Sequence, residues 1–246
     1  MNQRFQDRAD AGRVLASRLG CHAKQKETIV LGIARGGVMV ARELAACLHL
    51  PLDVLAVRRL GHPGHENITF GAITSRGGRV VNPYASKSLS PDAIAEIMAR
   101  EIKELTCRES LYHAHAPRLN WDEKTVLLVD DGIVTSNTIC AAVQAVRSRP
   151  VRHLVVAAPV ISSAVWLTLE RRADEVVAAI VSDDYTSLHK CYENFAPVTD
   201  VEVARILEAQ RAVDYCETDG CPVSPDQPLP KNSPADPPEI PPGASL

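Results

Sequence analysis

The sequence predicts an α/β fold, a single doubly wound and mainly parallel sheet flanked by helices, within one domain spanning about residues 1–212. Short, continuously apolar runs recur along the chain, as at Thr28–Ile33, Thr125–Val129 and Glu175–Val181. Such runs suit strands buried on both faces. Stretches with apolar residues at helical spacing alternate with them, which is the pattern of strand–helix–strand units. The chain is 46% hydrophobic but only 4% aromatic, so its core is expected to be Ala, Val, Ile and Leu.

Residues 8–19, RADAGRVLASRL, read as a helix that stops at Gly20, a residue suited to ending one. Thr28–Ile33 forms a strand running into Arg35-Gly36-Gly37, and a helix follows from Val38 to Leu48. Leu52–Val57 is a second strand. Beyond it, Arg58 to about Asn67 holds two Arg, two Gly and a Pro, too polar to pack, and is expected to be a mobile lid loop. Gly71–Thr74 and Arg79–Asn82 are short strands across a glycine turn. Ser90-Pro91 supplies an N-cap and a first-turn proline for a long helix to about His113. Thr125–Val129 is apolar and β-branched and stops at Asp130-Asp131, after which a small-residue loop, Gly132 to Asn137, leads into a helix from Thr138 to Arg147. His153–Val160, Ser163–Arg171 and Glu175–Val181 complete the alternation. Ligands of parallel sheets collect at the carboxyl ends of strands. That rule selects three loops, Ala34–Gly37, Arg58–Asn67 and Asp130–Thr138.

Composition narrows the class further. A net charge of −3 and a pI near 6.2 argue against nucleic acid held by bulk charge. No run approaches the ~18 apolar residues of a membrane span, and the opening MNQRFQDRAD has no apolar leader core, so a cytoplasmic location is expected. Nine of the 17 prolines fall between Pro222 and Pro242. Residues 213–246 are therefore expected to be a disordered tail, with too little apolar surface to offset chain entropy. The seven scattered cysteines, odd in number, do not suggest a disulfide framework. Neither they nor the pairs His62/His65 and His113/His115 have the spacing of a metal site, so no protein-bound metal is expected.

The chemistry concentrates in Val126–Thr138. A buried strand delivers two adjacent acids to its exposed end, and backbone amides, hydroxyls and a side-chain amide then surround the start of a helix. Free N–H groups there suit a phosphate, and the acids suit sugar hydroxyls. This describes a socket for a ribose 5-phosphate. Here the sequence resembles the type I phosphoribosyltransferase superfamily, whose signature is four apolar residues, two acids and a Thr-Gly-x-Thr-like phosphate loop. The resemblance runs from about Phe5 to Leu207.

It implies that Asp130 and Asp131 hold the ribose hydroxyls of phosphoribosyl pyrophosphate, and that Val134, Thr135, Ser136, Asn137 and Thr138 hold its 5′-phosphate. Gly32-Ile33-Ala34-Arg35-Gly36-Gly37 is similar to the superfamily's pyrophosphate loop, which makes Ala34, Arg35, Gly36 and Gly37 the pyrophosphate site. Val57-Arg58-Arg59-Leu60-Gly61 through Gly71-Ala72-Ile73 is similar to the mobile catalytic loop of a bacterial subgroup assigned mainly from sequence. In that role Arg58 or Arg59 stabilises charge on the departing pyrophosphate. Tyr185, Tyr192 and Phe195 fall where the superfamily places a small, variable hood, in which an aromatic ring stacks on the base.

The implied activity is Mg²⁺-dependent transfer of ribose 5-phosphate to a nitrogenous base with release of pyrophosphate, by a protein expected to form homodimers. The alternative is a module that binds phosphoribosyl pyrophosphate or a nucleotide without turnover. Three departures bear on this choice. Ser136-Asn137 replace the family's Gly and small residue, so strain is expected at Ser136 if that position needs φ > 0. Asn67 stands where the subgroup tends to carry Glu. Val134 stands where enzymes acting on 6-oxopurines carry an acid, and it cannot transfer a proton, which disfavours hypoxanthine and guanine.

Overall fold

Side chains leave the central strands alternately toward two helical layers, and both directions are apolar. The computed structural model describes residues 4–183 and 188–218, with side chains at all of these except 66–67 and 213–218. In chain order the elements are α1 (Arg8–Arg18), β1 (Thr28–Ala34), α2 (Gly36–Leu48), β2 (Leu52–His62), β3 (His65–Thr74), β4 (Arg79–Val81), α3 (Pro91–Tyr112), β5 (Thr125–Val129), α4 (Ser136–Arg147), β6 (His153–Ile161), α5 (Ser163–Leu169), β7 (Glu175–Val181) and α6 (Asp200–Thr218). The strands form one sheet in the order β4-β3-β2-β1-β5-β6-β7. Neighbours from β2 across to β7 pair in parallel, while β3 and β4 are antiparallel additions at one edge.

Period-two alternation builds two cores. Val30, Val54, Leu127 and Val155 pack against α1, α2, α3 and α6. Ile29, Leu31, Val126, Leu128 and Val156 pack against α4 and α5. This is the doubly wound, mainly parallel arrangement expected from the apolar runs. No helix among the described residues is long and apolar enough to cross a membrane.

Four local expectations are corrected. The segment expected to be a lid loop is a β-ribbon: β2 continues through His62, turns, and pairs antiparallel with β3, Arg58 opposite Ile73 and Leu60 opposite Gly71. Arg59 is exposed while Leu60 and Phe70 are fully buried. The polar composition conceals an alternating strand whose apolar residues face inward. Helices α2 and α4 begin at Gly36 and Ser136, two residues earlier than the apolar pattern suggests, because the first turn of a helix need not be apolar. Helix α5 ends at Leu169 rather than Arg171. Helix α6 is an addition to the expected elements, although its start carries a capping box: Thr199 Oγ1 accepts from the Glu202 amide (3.2 Å) and Glu202 Oε2 accepts from the Thr199 amide (2.7 Å). It continues beyond residue 212. Tyr185 and the proline-rich segment from residue 219 onward lie outside the described residues.

Candidate active site

Strands β1 and β5 are hydrogen-bonded neighbours, Gly32 beside Val129, so the loops that follow them leave the same end of the sheet. Arg35 occupies the N-cap position of α2, and Gly36 and Gly37 form its first turn. Close approach explains the glycines. A Cβ on Gly36 would lie 1.9 Å from Asp131 Oδ2, and one on Gly37 would lie 2.7 Å from the Val129 carbonyl oxygen and 2.9 Å from Asp130 Cα. Only hydrogen fits at either place. Helix α4 opens beside this junction, with Thr135 extended at its N-cap (φ −123°). Each helix start leaves amides without intrahelical partners and carries the positive end of the helix dipole. Two anion-favouring termini therefore flank the acid pair.

The strain expected at Ser136 is absent. Ser136 and Asn137 are the first residues of α4, and neither has a positive φ. No left-handed residue is needed, because the turn is made by Thr135 in an extended conformation.

Asp131 is buried and held from several sides. Arg8 Nε donates to its Oδ2 (2.8 Å), its amide donates to Asp130 Oδ1 (2.9 Å), and the Tyr192 hydroxyl donates to its backbone carbonyl (2.6 Å). Burial, and then the neighbouring Asp131 carboxylate, push the Asp130 carboxyl well above the ordinary aspartate range. The pair thus sets a buried acid beside an arginine-paired carboxylate.

These residues border an open cleft of about 800 Å³. Of the residues selected from sequence, Ala34, Arg35, Gly36, Arg58, Arg59, Asp131, Thr138 and Phe195 line it. Gly37, Asp130, Val134, Thr135, Ser136 and Asn137 belong to the turns behind that lining. The cleft brings six arginines together with three carboxylates. Arg58 Nε and Nη2 both meet Glu101 Oε2, at 2.7 and 2.6 Å, whereas Arg59 has no carboxylate partner among the described residues. Arg35 Nη1 and Arg108 Nε lie 4.0 and 3.7 Å from Asp200 Oδ2, and the Tyr112 hydroxyl donates to the other oxygen of that carboxylate.

Tyr192 does not serve as a base-stacking ring. It is 2% exposed, packed in a small core with Phe5 and Cys191, and its hydroxyl is spent on Asp131. Phe195 reaches the cleft, but the Arg8 guanidinium carbon stands 3.8 Å from its ring centre and Tyr192 stacks on it at 5.1 Å. Its ring is already covered.

Sequence reasoning missed Arg8 and the wall supplied by α3: Arg100, Glu101, Glu104 and Arg108. The spacing of 100, 104 and 108 marks one helical face, a visible signal, but nothing local says what that face borders. The carboxylates also bear on a metal. Glu101 is committed to Arg58 and Arg100 and Asp131 to Arg8, and no group of three His, Cys, Asp or Glu among the described residues is arranged to hold an ion. The described residues alone do not form a closed Mg²⁺ site, and an ion held here would rely on substrate phosphates as well as carboxylates.

Adjacent strand ends that gather an acid pair, a double-glycine turn and two helix N-termini into one cationic cleft define an α/β protein with a strand-end anion site. The phosphoribosyl transferase domain model matches residues 3–187, and the chain belongs to that family. It is 35% identical over 227 residues to Rv0571c of Mycobacterium tuberculosis H37Rv, whose name reads phosphoribosyl transferase as a provisional assignment. The match covers 92% of this chain and 51% of that protein, so the chain spans about half the length of its curated relative. The crystal structure of TT1426 from Thermus thermophilus superposes with a TM-score of 0.71 at 36% identity, covering 85% of this chain and 99% of that one.

Proposed function

We propose that the protein transfers the ribose 5-phosphate group from phosphoribosyl pyrophosphate to a ring nitrogen of a planar acceptor, releasing pyrophosphate. One observation carries the reading: the Asp131 carboxylate lies against the Cα of Gly36, between the N-termini of α2 and α4. A sugar held at the acids would have one phosphate at each helix start, where unpaired amides favour anions. In the reaction, the C1–O bond to pyrophosphate breaks and its electron pair leaves with that oxygen. The acceptor nitrogen's lone pair forms the new bond to C1, and any displaced N–H proton passes to solvent. Asp130 and Asp131 hold the ribose hydroxyls and take no proton from the acceptor. The α4 amides and Thr138 anchor the 5′-phosphate. Arg35, Arg59 and the α2 amides meet the charge growing on pyrophosphate, where preorganised donors act most strongly. Mg²⁺ enters only as the counter-ion that the substrate's phosphates carry.

A second reading, a module that binds phosphoribosyl pyrophosphate without turnover, is favoured by a single feature. Arg58, expected to assist the leaving group, is committed to Glu101. Calorimetry with Mg²⁺ and phosphoribosyl pyrophosphate tests both readings at their root. Wild type should bind and Asp131→Asn should bind much more weakly; no binding by wild type, or equal binding by the two, defeats the proposal. Pyrophosphate release across a panel of purine and pyrimidine bases then separates them, since turnover with any base rules out a module that only binds.

A further inference from the structure

Asp200 opens α6 and takes no part in the chemistry assigned above, yet two of the cleft's six arginines meet on it. Arg35 Nη1 stands 4.0 Å and Arg108 Nε 3.7 Å from its Oδ2. Its other oxygen accepts from the Tyr112 hydroxyl. Arg35 comes from the start of α2, and Arg108 and Tyr112 come from α3. Both arginines line the cleft, while Asp200 stands behind that lining.

The partners are held unequally. Tyr112 is 1% exposed, in the core that also takes Val203 and Leu207 of α6. Burial, and then the hydrogen bond to Asp200, push its hydroxyl above the ordinary tyrosine range, so it stays a donor and fixes the carboxylate from the buried side. Arg35 is different. Its side chain is 44% exposed, and its guanidinium makes no hydrogen bond among the described residues. At 4.0 Å its pair with Asp200 is an electrostatic contact only. With the acid tethered and the cation loose, the cation is the partner that moves when a stronger anion arrives. Arg35 also stands at the N-cap of α2, where unpaired amides favour a phosphate. A pyrophosphate seated there carries more charge and more acceptor oxygens than one carboxylate, so it competes for the guanidinium.

Resting on the phosphoribosyl transfer reading, we propose that Asp200 is a positioning residue that parks Arg35 beside the α2 N-terminus. Pyrophosphate must take Arg35 from Asp200 to bind, and Asp200 takes it back as pyrophosphate leaves. Helix α6 thereby loosens the hold on the leaving group through its first residue.

Titration calorimetry probes the two ends of the substrate separately, with Mg²⁺–pyrophosphate and with ribose 5-phosphate. Binding of Mg²⁺–phosphoribosyl pyrophosphate by wild type is measured first; its absence defeats the transferase reading itself, and the inference with it. An ion pair of this exposure is worth up to about fivefold in an equilibrium constant, so Asp200→Asn, which keeps an oxygen for the Tyr112 hydroxyl, should bind Mg²⁺–pyrophosphate about three- to fivefold more tightly than wild type. Asp200→Ser, a smaller neutral replacement, should do the same, and ribose 5-phosphate binding should not change in either. Damage to the fold would instead weaken both ligands. The gain must also pass through Arg35: in an Arg35→Gln background, Asp200→Asn should leave pyrophosphate binding unchanged. If wild type binds pyrophosphate too weakly to titrate, the same comparisons are read on phosphoribosyl pyrophosphate. With that substrate bound by wild type, three results overturn the role of Asp200 and leave the transferase reading standing: no gain in either Asp200 variant, a gain shared by ribose 5-phosphate, or a gain that persists in Arg35→Gln.

Discussion

Replacing Gly36 with alanine perturbs the site through a single methyl group. The added carbon would fall 1.9 Å from Asp131 Oδ2 and 2.6 Å from its Cγ. Ordinary van der Waals contact begins near 3.4 Å, so the carboxylate must retreat by about 1.5 Å or the first turn of α2 must shift. The carboxylate is not free to move, because Oδ2 accepts from Arg8 Nε at 2.8 Å and Arg8 is itself pinned by Ala196 and Phe195. A retreat of that size breaks this hydrogen bond. The displaced carboxylate also loses its hydrogen bond to a ribose hydroxyl, and a hydrogen bond to a charged group contributes roughly 1.5–3 kcal/mol, which corresponds to about 10- to 150-fold in an equilibrium constant. Titration calorimetry should therefore show the dissociation constant for Mg²⁺–phosphoribosyl pyrophosphate rising by that factor. Gly20→Ala is the control: its added carbon meets nothing within 4 Å, and binding should not change. A Gly36→Ala protein that binds within threefold of wild type would refute the reasoning, since it would mean that neither the acid nor the glycine turn positions the ligand.

Two further predictions concern stability. Asp130 has a folded-state pKa raised above its unfolded value by burial and by Asp131. The folded chain then binds more protons than the unfolded one as pH rises from the ordinary aspartate range to the raised value, and stability is lost across that window. Asp130→Asn, which mimics the neutral acid, should gain in Tm relative to wild type as pH goes from 4 to 7; a gap that narrows instead contradicts the assignment. At the other end of β2, fully buried Asp53 accepts from the Leu119 amide (2.9 Å), lies 3.0 Å from His113 Nε2, and has Arg211 and Arg76 at 3.6 and 3.9 Å. Removing one partner of a buried charge network costs about 3–5 kcal/mol. At ~2–4 °C per kcal/mol for a domain of this size, Asp53→Ala should lower the Tm seen by circular dichroism by roughly 6–20 °C. A shift under 3 °C would show that water already satisfies the site.

Much of the fold was legible because its signals are local. Apolar, β-branched runs such as Val126–Val129 suit strands covered on both faces, and the helices between them follow from periodicity. The ribbon reads as a loop for a physical reason: its outward residues are charged or glycine, so composition resembles a loop while Leu60 and Phe70 carry the alternation. Helix α6 carries a weaker local signal, its Thr199–Glu202 capping box standing without a strong apolar stripe behind it.

The sequence by itself determined that two acids end a buried strand, that a glycine pair ends another, and that helices begin just after both, because each of these is encoded within a dozen consecutive residues. Only the tertiary structure decided which charges meet. Arg8 and Asp131 are 123 positions apart, and Arg58 finds Glu101 43 positions away. Such pairs depend on how α1 and α3 pack against the sheet, and packing is driven by apolar faces that carry no record of which arginine will stand beside which acid. The strand ends place the acid pair beside the glycine turn. The helices laid across them set the charge of the cleft's walls.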